Sequence, residues 1–329
     1  MKNNFLDKMK TVRSIPQYTT ILSQAISPCG SLYAAATVDG FVNIWKTSQL
    51  FSVDTESPPS PIAQFRVKSG VNSLLSTQHY LLIGEKDKVT GYDWSSITDN
   101  EVQQPSWDMC LPQIGEVNSM VEMGEDDSKI VIGAGDNNVY LVDVETRTRC
   151  QVLTGHSNYV HSVARCDSAL VSGGEDGSVR FWDIKQQQSV HCITPSEQSE
   201  LARPKLGKHI SSVSVTNDWM AAGGGPAPAL WHLKSMSMST TLPCNNNEVK
   251  VVMIHDDTVT VGGRGRILHQ TSITGELKAE IAMSSSVIYS VANKSNPNIM
   301  CCTGSSSYID ILTNNYNYKD ATIQFHIEE

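Results

Sequence analysis

Short apolar runs separated by turn residues recur along the whole chain. The segments SLYAAATV (31–38), KIVIGAGD (129–136) and NVYLVDV (138–144) alternate between apolar and polar positions or are apolar throughout, and Gly, Asp or Asn flanks each of them. Runs of this length, bounded by such turn residues, are typical of β-strands. The pattern therefore predicts an all-β chain built from many short strands.

One block shows how these strands are organised. Residues 153–185, LTGHSNYVHSVARCDSALVSGGEDGSVRFWDIK, contain a Gly-His pair, two strand signals, an Asp-Gly turn and a strand that ends in Trp-Asp. Gly177 accepts a positive φ at no steric cost, so Asp176-Gly177 predicts a hairpin turn. The whole block is the signature of one WD repeat, which forms one propeller blade.

Weaker copies of this block lie on both sides of it. The position of Trp182 is predicted to recur at intervals of 47, 50, 40, 49, 39 and 42 residues, at Trp45, Tyr92, Val142, Trp182, Trp231, Gln270 and Leu312. WD repeats are about 40–45 residues long and take insertions in their loops. Seven such positions predict a seven-bladed WD-repeat β-propeller, a closed ring that leaves only short, protected sheet edges.

The propeller is expected to occupy residues 17–329 as a single domain. Residues 1–16 form an N-terminal extension whose apolar side chains have helical spacing, so it is either a short helix packed on the ring or a disordered tail. Polar or Pro-rich insertions at 47–60, 95–105 and 194–208 are predicted to be surface loops. The last strand signal, 322–327, is expected to form the outer strand of blade seven.

Charge and composition exclude several classes of function. The formal net charge is -9, and no cluster of Lys and Arg offsets it locally, so we expect the chain to contact RNA only indirectly. No run of 18 apolar residues is present, which predicts no membrane span. The cysteines and histidines lack the spacing of metal ligands, and no Gly-rich segment fits a nucleotide-binding motif. We therefore expect neither a metal nor another cofactor.

Four polar residues of blade four superficially resemble a hydrolytic site. His156, Ser172 and Asp176 are the residue types of a catalytic triad, and Trp182 accompanies them. In a WD blade, however, these positions meet so that Asp accepts from His, His contacts Ser, and Ser accepts from the indole N–H. A chain of this kind satisfies buried polar groups. We therefore predict that the four residues form a structural polar network and that the protein is not an enzyme.

Several longer segments resemble a known family. They are SQAISPCGSLYAAATVDG (23–40), SGGEDGSVRFWDIK (172–185), ARPKLGKHISSVSVTNDWMAAGGGPAPALWHL (202–233) and GELKA (275–279). The third is the most specific, because it joins Arg-Pro to Asn-Asp-Trp-Met, a triple Gly-Pro and Leu-Trp-His-Leu. On these residues the chain is similar to the subunit 6 family of the THO complex, from about residue 21 to 325.

The resemblance implies a nuclear scaffold that couples transcription and splicing to mRNA export. The partners it implies are the other THO subunits, especially the coiled-coil subunits five and seven. The family has no known catalytic residues, so the resemblance assigns none to this chain.

The loop 194–208 is the candidate partner-binding segment. Leu201 and Leu206 are apolar residues in a polar loop, as expected of anchors that dock on a partner, and Arg203 and Pro204 lie between them. Long loops on a rigid scaffold often carry function. The alternative is that the two leucines pack on the propeller and that Arg203 pairs locally.

Two other functions compete with the scaffold. Substrate receptors of cullin-based ubiquitin ligases often carry Trp-Asp-x-Arg after a third strand. Here Trp182-Asp183-Ile184 is followed by Lys185, which cannot reproduce a bidentate guanidinium contact. A propeller enzyme would need a cluster of ionisable residues at the ring mouth, and the sequence predicts none there.

Overall fold

The computed structural model describes residues 19–51, 59–97, 104–124, 128–313, 316 and 318–325. These residues form seven antiparallel sheets of four strands each, which confirms the predicted seven-bladed β-propeller. The predicted N-terminal extension, 1–16, and the ends of the predicted propeller domain lie outside the described residues.

Each blade uses four consecutive strands of the chain. The strands of the first four blades are β1 (Ile21–Ile26), β2 (Leu32–Thr37), β3 (Phe41–Lys46) and β4 (Ala63–Arg66); β5 (Ser73–Ser76), β6 (Tyr80–Glu85), β7 (Lys88–Asp93) and β8 (Trp107–Cys110); β9 (Val117–Glu122), β10 (Lys129–Ala134), β11 (Val139–Asp143) and β12 (Thr148–Leu153); and β13 (Val160–Arg165), β14 (Leu170–Gly174), β15 (Val179–Asp183) and β16 (Gln188–Ile193). Those of the last three are β17 (Ile210–Val215), β18 (Trp219–Gly224), β19 (Ala229–His232) and β20 (Ser237–Thr241); β21 (Val249–His255), β22 (Thr258–Gly263), β23 (Ile267–Ser272) and β24 (Leu277–Ala282); and β25 (Ile288–Lys294), β26 (Ile299–Gly304), β27 (Ser306–Leu312) and β28 (Lys319–Gln324).

The predicted insertions contain short helical turns where they are described. The helix α1 (Thr47–Phe51) follows blade one's third strand, and three 3-10 turns span Trp94–Ser96, Pro195–Glu197 and Pro204–Leu206. The outer strand of blade seven, β28, begins three residues earlier than the sequence pattern predicts and pairs with β27. Residues 52–58 and 98–103 of the first two insertions lie outside the described residues.

The first strands of the blades lie side by side around the central axis. Serine side chains connect several of them, because Ser23, Ser119, Ser162 and Ser212 each accept a backbone N–H from the first strand of the next blade at 2.8–3.1 Å. A buried N–H without a ladder partner is costly, so these bonds stabilise the ring. The sequence analysis did not identify this set.

Side-chain packing joins blade one to blade seven. Tyr33 and Trp45 of blade one pack with Phe325, with the ring centroids of Trp45 and Phe325 5.8 Å apart. Gln24 bridges the two blades, since its Nε2 donates to Cys301 O at 2.9 Å and its Oε1 accepts from Tyr33 Oη at 2.7 Å. Within the described residues, the ring therefore closes without strand exchange.

The predicted third-strand positions need one correction. In blade four a bulge separates Phe181 from Trp182, and Trp182 pairs with Leu170 on the second strand. In blade six the corresponding bulge lies between Gln270 and Thr271, and Thr271 pairs with Val259. The residue equivalent to Trp182 is therefore Thr271, one residue after the predicted Gln270.

Candidate interaction face

One face of the propeller carries the loops that connect the blades and the turns between second and third strands. We call it the loop face. The Gly155-His156 loop, the Asp176-Gly177 turn and the loop 194–208 all lie on it, because each precedes a first strand or joins a second strand to a third. Three groups of residues on this face bear on function: the blade-four polar network, the loop 194–208 and the mouth of the central channel.

The blade-four network brings together all four predicted side chains. His156 Nδ1 lies 3.0 Å from Asp176 Oδ2, and His156 Nε2 lies 2.7 Å from Ser172 Oγ. Trp182 Nε1 donates to the same Ser172 Oγ at 2.8 Å. Both ring nitrogens of His156 are therefore engaged by side chains of its own blade. The histidine side chain is fully buried, so no substrate can reach it as it would a catalytic base.

Asp176 also receives donors that the sequence analysis missed. The backbone N–H groups of Ser157 and Ser178 donate to its carboxylate at 3.0 and 2.9 Å, and Ser178 Oγ donates at 2.7 Å. Burial by itself raises the pKa of this carboxyl group, but the hydrogen bonds from His156, Ser157 and Ser178 outweigh it and hold the pKa well below its usual range. Asp176 therefore stays ionised and holds the loop, the turn and the imidazole together.

The loop 194–208 packs on the propeller through Leu201. This side chain is fully buried in a cluster with Phe181 of blade four and Trp231 of blade five. The prediction that Leu201 is an anchor for a partner is wrong, because no surface of the side chain is exposed. Burying an apolar side chain of this size stabilises the fold by about 1.5–3 kcal/mol.

Arg203 is a structural residue for a similar reason. Its guanidinium donates to the carbonyl oxygens of Gly224, Gly225, Pro226 and Asn247 at 2.6–3.2 Å and contacts Cys244 Sγ at 3.1 Å. The loop backbone comes so close here that a Cβ at Gly225 would lie 2.4 Å from Gly207 O. Arg203 therefore pairs locally, as the alternative expected, while its role in partner binding stays a prediction; the triple glycine allows this close packing.

The other two residues of the predicted loop site, Pro204 and Leu206, are accessible to solvent. Pro204 is exposed and Leu206 is half-buried, and both belong to the 3-10 turn Pro204–Leu206. Tyr159, which follows the Gly155-His156 loop on the same face, is also 53% exposed. Tyr is enriched among residues that dominate protein–protein binding. These three residues, unlike the fully buried Leu201, can contact a partner.

The mouth of the central channel is a polar cavity of about 470 Å³. In six blades a β-bulge lies at the start of the first strand and turns one side chain toward the axis. The residues at these positions, together with Asn72 of blade two, line the cavity and are 39 to 50 residues apart: Leu22, Asn72, Asn118, His161, Ser211, Lys250 and Tyr289. The repeat thus builds the mouth, although the bulges are not readable from the strand pattern.

The mouth contains the ionisable cluster that the sequence did not predict. His161 Nε2 lies 2.7 Å from Glu175 Oε2, and Glu248 Oε1 lies 3.0 Å from His209 Nε2 and 2.6 Å from Lys250 Nζ. The expected absence of such a cluster is therefore wrong. Burial raises the pKa of Glu248, but Lys250 and His209 lower it more, so that the net pKa shift is downward.

The side chains of this cluster form hydrogen-bonded pairs. Each carboxylate already accepts a hydrogen bond from a neighbouring cation or imidazole, so the charges hold one another in place. Within the described part of the chain no group of three or more His, Cys, Asp or Glu side chains could hold a metal ion. Across the same residues, no helix is long and apolar enough to cross a membrane.

Comparisons with known proteins agree with the fold and the resemblance. Residues 9–46 and 147–183 match the family model of the WD domain, G-beta repeat. The THO complex subunit 6 homolog of Danio rerio is 34% identical over 94% of this chain and 98% of its own length. THO complex subunit 6 of Homo sapiens is 32% identical, covering 94% and 93%, and that of Drosophila melanogaster 30%, covering 94% and 90%. Since these relatives align along nearly their whole length, the chain belongs to the THO complex subunit 6 family.

Proposed function

We propose that this chain is a non-enzymatic scaffold subunit of the THO complex in the transcription-export machinery. In this role it acts in the nucleus and couples transcription and mRNA processing, including splicing, to mRNA export through protein–protein contacts. The observation that carries the proposal is the end-to-end similarity to proteins named THO complex subunit 6. The partners are the other THO subunits, especially the coiled-coil subunits five and seven.

The chemistry of the loop face supports a scaffold. The residues of blade four that resemble a triad bind one another, with both nitrogens of His156 engaged and the imidazole buried. The titratable residues at the ring mouth are paired as well. What this face offers instead is a rigid rim with exposed side chains, which is the usual setting for binding residues.

The charge of the molecule supports an indirect contact with RNA. The formal net charge is -9, and the mouth of the channel carries two glutamates against one lysine. Phosphate backbones repel such a surface, whereas basic partner subunits are attracted to it. In the proposed assembly, those subunits carry the RNA contacts.

The test is reconstitution with purified THO subunits five and seven, read by size-exclusion chromatography and by titration. Tyr159→Ser together with Leu206→Ser should weaken capture by about tenfold or more, as expected for residues central to an interface. Val190→Ser is the matched control, because Val190 is 55% exposed on the outer strand of blade four, away from the loop face. It should leave capture unchanged.

The outcomes distinguish an error in the proposed function from an error in the proposed binding surface. If the wild-type chain does not co-elute with any combination of THO subunits, the proposed function is wrong. If it co-elutes and only Val190→Ser weakens the complex, the function stands and the loop face is not the binding surface.

A further inference from the structure

A polar pair interrupts the packing between blades six and seven. Thr260 on β22 pairs with Gln270 on β23, and both are 1% exposed. In the other six blades the same two register positions hold the pairs Ala34 and Ile44, Leu82 and Gly91, Val131 and Leu141, Val171 and Phe181, Ala221 and Leu230, and Cys301 and Ile311. No other blade has a hydroxyl or an amide at these positions.

The pair has hydrogen-bonding atoms without a partner. Neither Thr260 Oγ1 nor Gln270 Oε1 has a hydrogen-bond partner among the described residues, and Gln270 Nε2 has only Met300 Sδ at 4.0 Å. Apolar residues, among them Leu268, Ile281 and Met300, form the core between blades six and seven. A buried polar group left unpaired is costly, so an apolar pair at these positions would be more stable than the one present.

Thr260 lines a cleft, and Gln270 is its neighbour on the adjacent strand. The cleft has a volume of about 420 Å³ and lies between blades six and seven, at the face opposite the ring mouth. It reaches the surface at the turn between β21 and β22, where the Asp256 side chain is 85% exposed. Its walls add Ser295 and Asn298, which are also neutral polar residues. A cleft of this size is within the range of ligand sites.

The charged residues of the cleft leave no net charge for a ligand to neutralise. Lys278 Nζ donates to Thr258 Oγ1 at 2.9 Å and lies 3.5 Å from Asp257 O. The Asp256 carboxylate lies 3.4 Å from His255 Nε2. One lysine thus balances one aspartate, and a charged group placed against Thr260 and Gln270 would be desolvated without a counter-ion.

We propose that this cleft binds a neutral primary amide, the side chain of an asparagine or glutamine presented by an extended segment of a partner protein. The amide carbonyl accepts from the Thr260 hydroxyl, and the amide N–H₂ donates to Gln270 Oε1. This satisfies both unpartnered atoms with one group. The inference goes beyond the proposed function and does not depend on it, because the cleft exists whichever complex contains the chain.

The experiment measures binding of a small probe by NMR, with the threonine methyl groups of the chain isotopically labelled. The probe is N-acetyl-glutamine methylamide, and the matched control probe is N-acetyl-glutamate methylamide, which has the same shape but a charged side chain without an N–H. The Thr260 methyl resonance should shift saturably with the glutamine probe and not with the glutamate probe.

Two variants connect the shift to the polar pair. Thr260→Val with Gln270→Leu reproduces the pair of blade three, Val131 and Leu141. It should keep or raise the melting temperature and weaken binding by about thirtyfold, read on the Thr258 methyl group, since both proposed hydrogen bonds are lost. Thr260→Ser keeps the hydroxyl and should retain binding, read on the same Thr258 methyl group. This result would show that binding needs the hydroxyl and not the threonine methyl group.

Three results would overturn the proposal. They are the absence of a saturable shift up to the solubility limit of the glutamine probe, equal shifts with both probes, and unchanged affinity in the folded double variant. The first means that the pair is satisfied by water alone, since a polar cavity of this size holds ordered water.

Discussion

Asp176 shows how much of blade four depends on one carboxylate. It accepts from the backbone of the loop at Ser157, from the turn at Ser178 and from the imidazole of His156. We expect Asp176→Ala to lower the free energy of unfolding by about 1–3 kcal/mol, because the buried donors of His156 and Ser178 lose their acceptor. Asp39→Ala is the control, since Asp39 is the exposed residue of the matching turn in blade one; it should change stability by less than about 0.5 kcal/mol. Equal effects of the two variants would contradict the network.

Because the pKa of Asp176 is lowered, its contribution to the free energy of unfolding depends on pH in a known direction. A carboxyl group with a lower pKa in the folded state stabilises the fold above its unfolded pKa, and this stabilisation is lost as the pH falls through the folded value. Chemical denaturation of the wild type and of Asp176→Asn should therefore show a constant difference near neutral pH. The difference should shrink below about pH 4, the ordinary pKa of aspartate. A difference that grows on acidification would contradict the assigned pKa direction.

The tryptophans of blades four and five offer a matched comparison. Trp182 Nε1 donates to Ser172, whereas Trp231 Nε1 has no partner among the described residues. The reason is that Ala222 occupies the position of Ser172 in blade five. Trp182→Phe should therefore cost about 1 kcal/mol more than Trp231→Phe in denaturant unfolding, since both lose similar volume but only one loses a hydrogen bond. A larger cost for Trp231→Phe would show that packing, not the network, sets the difference.

The loop 194–208 is held as an element by Leu201 and Arg203. Leu201→Ala should lower the free energy of unfolding by about 2–5 kcal/mol because it creates a cavity between blades four and five. Arg203→Lys should also destabilise the fold, since an ammonium cannot reproduce a guanidinium that contacts four carbonyl groups. Lys205→Ala, at an exposed position in the turn that follows Arg203, should change stability by less than about 0.5 kcal/mol. Leu201→Ala with wild-type stability in calorimetry would contradict the burial of this side chain.

The elements that the sequence predicted well are those with a complete local signature. Residues 153–185 carry the full WD pattern, so the strands of blade four and the contacts of His156, Ser172, Asp176 and Trp182 could be expected. Blade six has no tryptophan on its third strand. Two polar residues, Gln270 and Thr271, are adjacent there, so the predicted equivalent of Trp182 is wrong by one residue.

Features that depend on three-dimensional placement could not be predicted in the same way. The burial of Leu201 depends on where the loop folds back, which its polar composition does not encode. The cluster at the ring mouth brings the His161–Glu175 pair near Glu248 of blade six, and a bulge places His161 there. The local sequence pattern thus predicts the blades, whereas the residues that meet at the ring mouth depend on how the blades close into a ring.

The whole molecule is acidic, and this makes a prediction about RNA. With a formal net charge of -9, the isolated chain should bind single-stranded RNA no more tightly than the non-specific range of about 10⁻⁴–10⁻⁶ M at physiological salt. Fluorescence anisotropy with labelled RNA measures this directly. A salt-sensitive complex of nanomolar affinity would contradict an indirect role in RNA contact.

Whether this chain is a subunit of the THO complex can be tested directly by identifying its partners. The tagged chain is purified from nuclear extract at mild salt, and its partners are quantified by mass spectrometry. The proposed scaffold role predicts that the other THO subunits, including the coiled-coil subunits five and seven, are recovered in near-stoichiometric amounts. Recovery of a cullin-ligase adaptor in their place, or of no THO subunit at all, would contradict it.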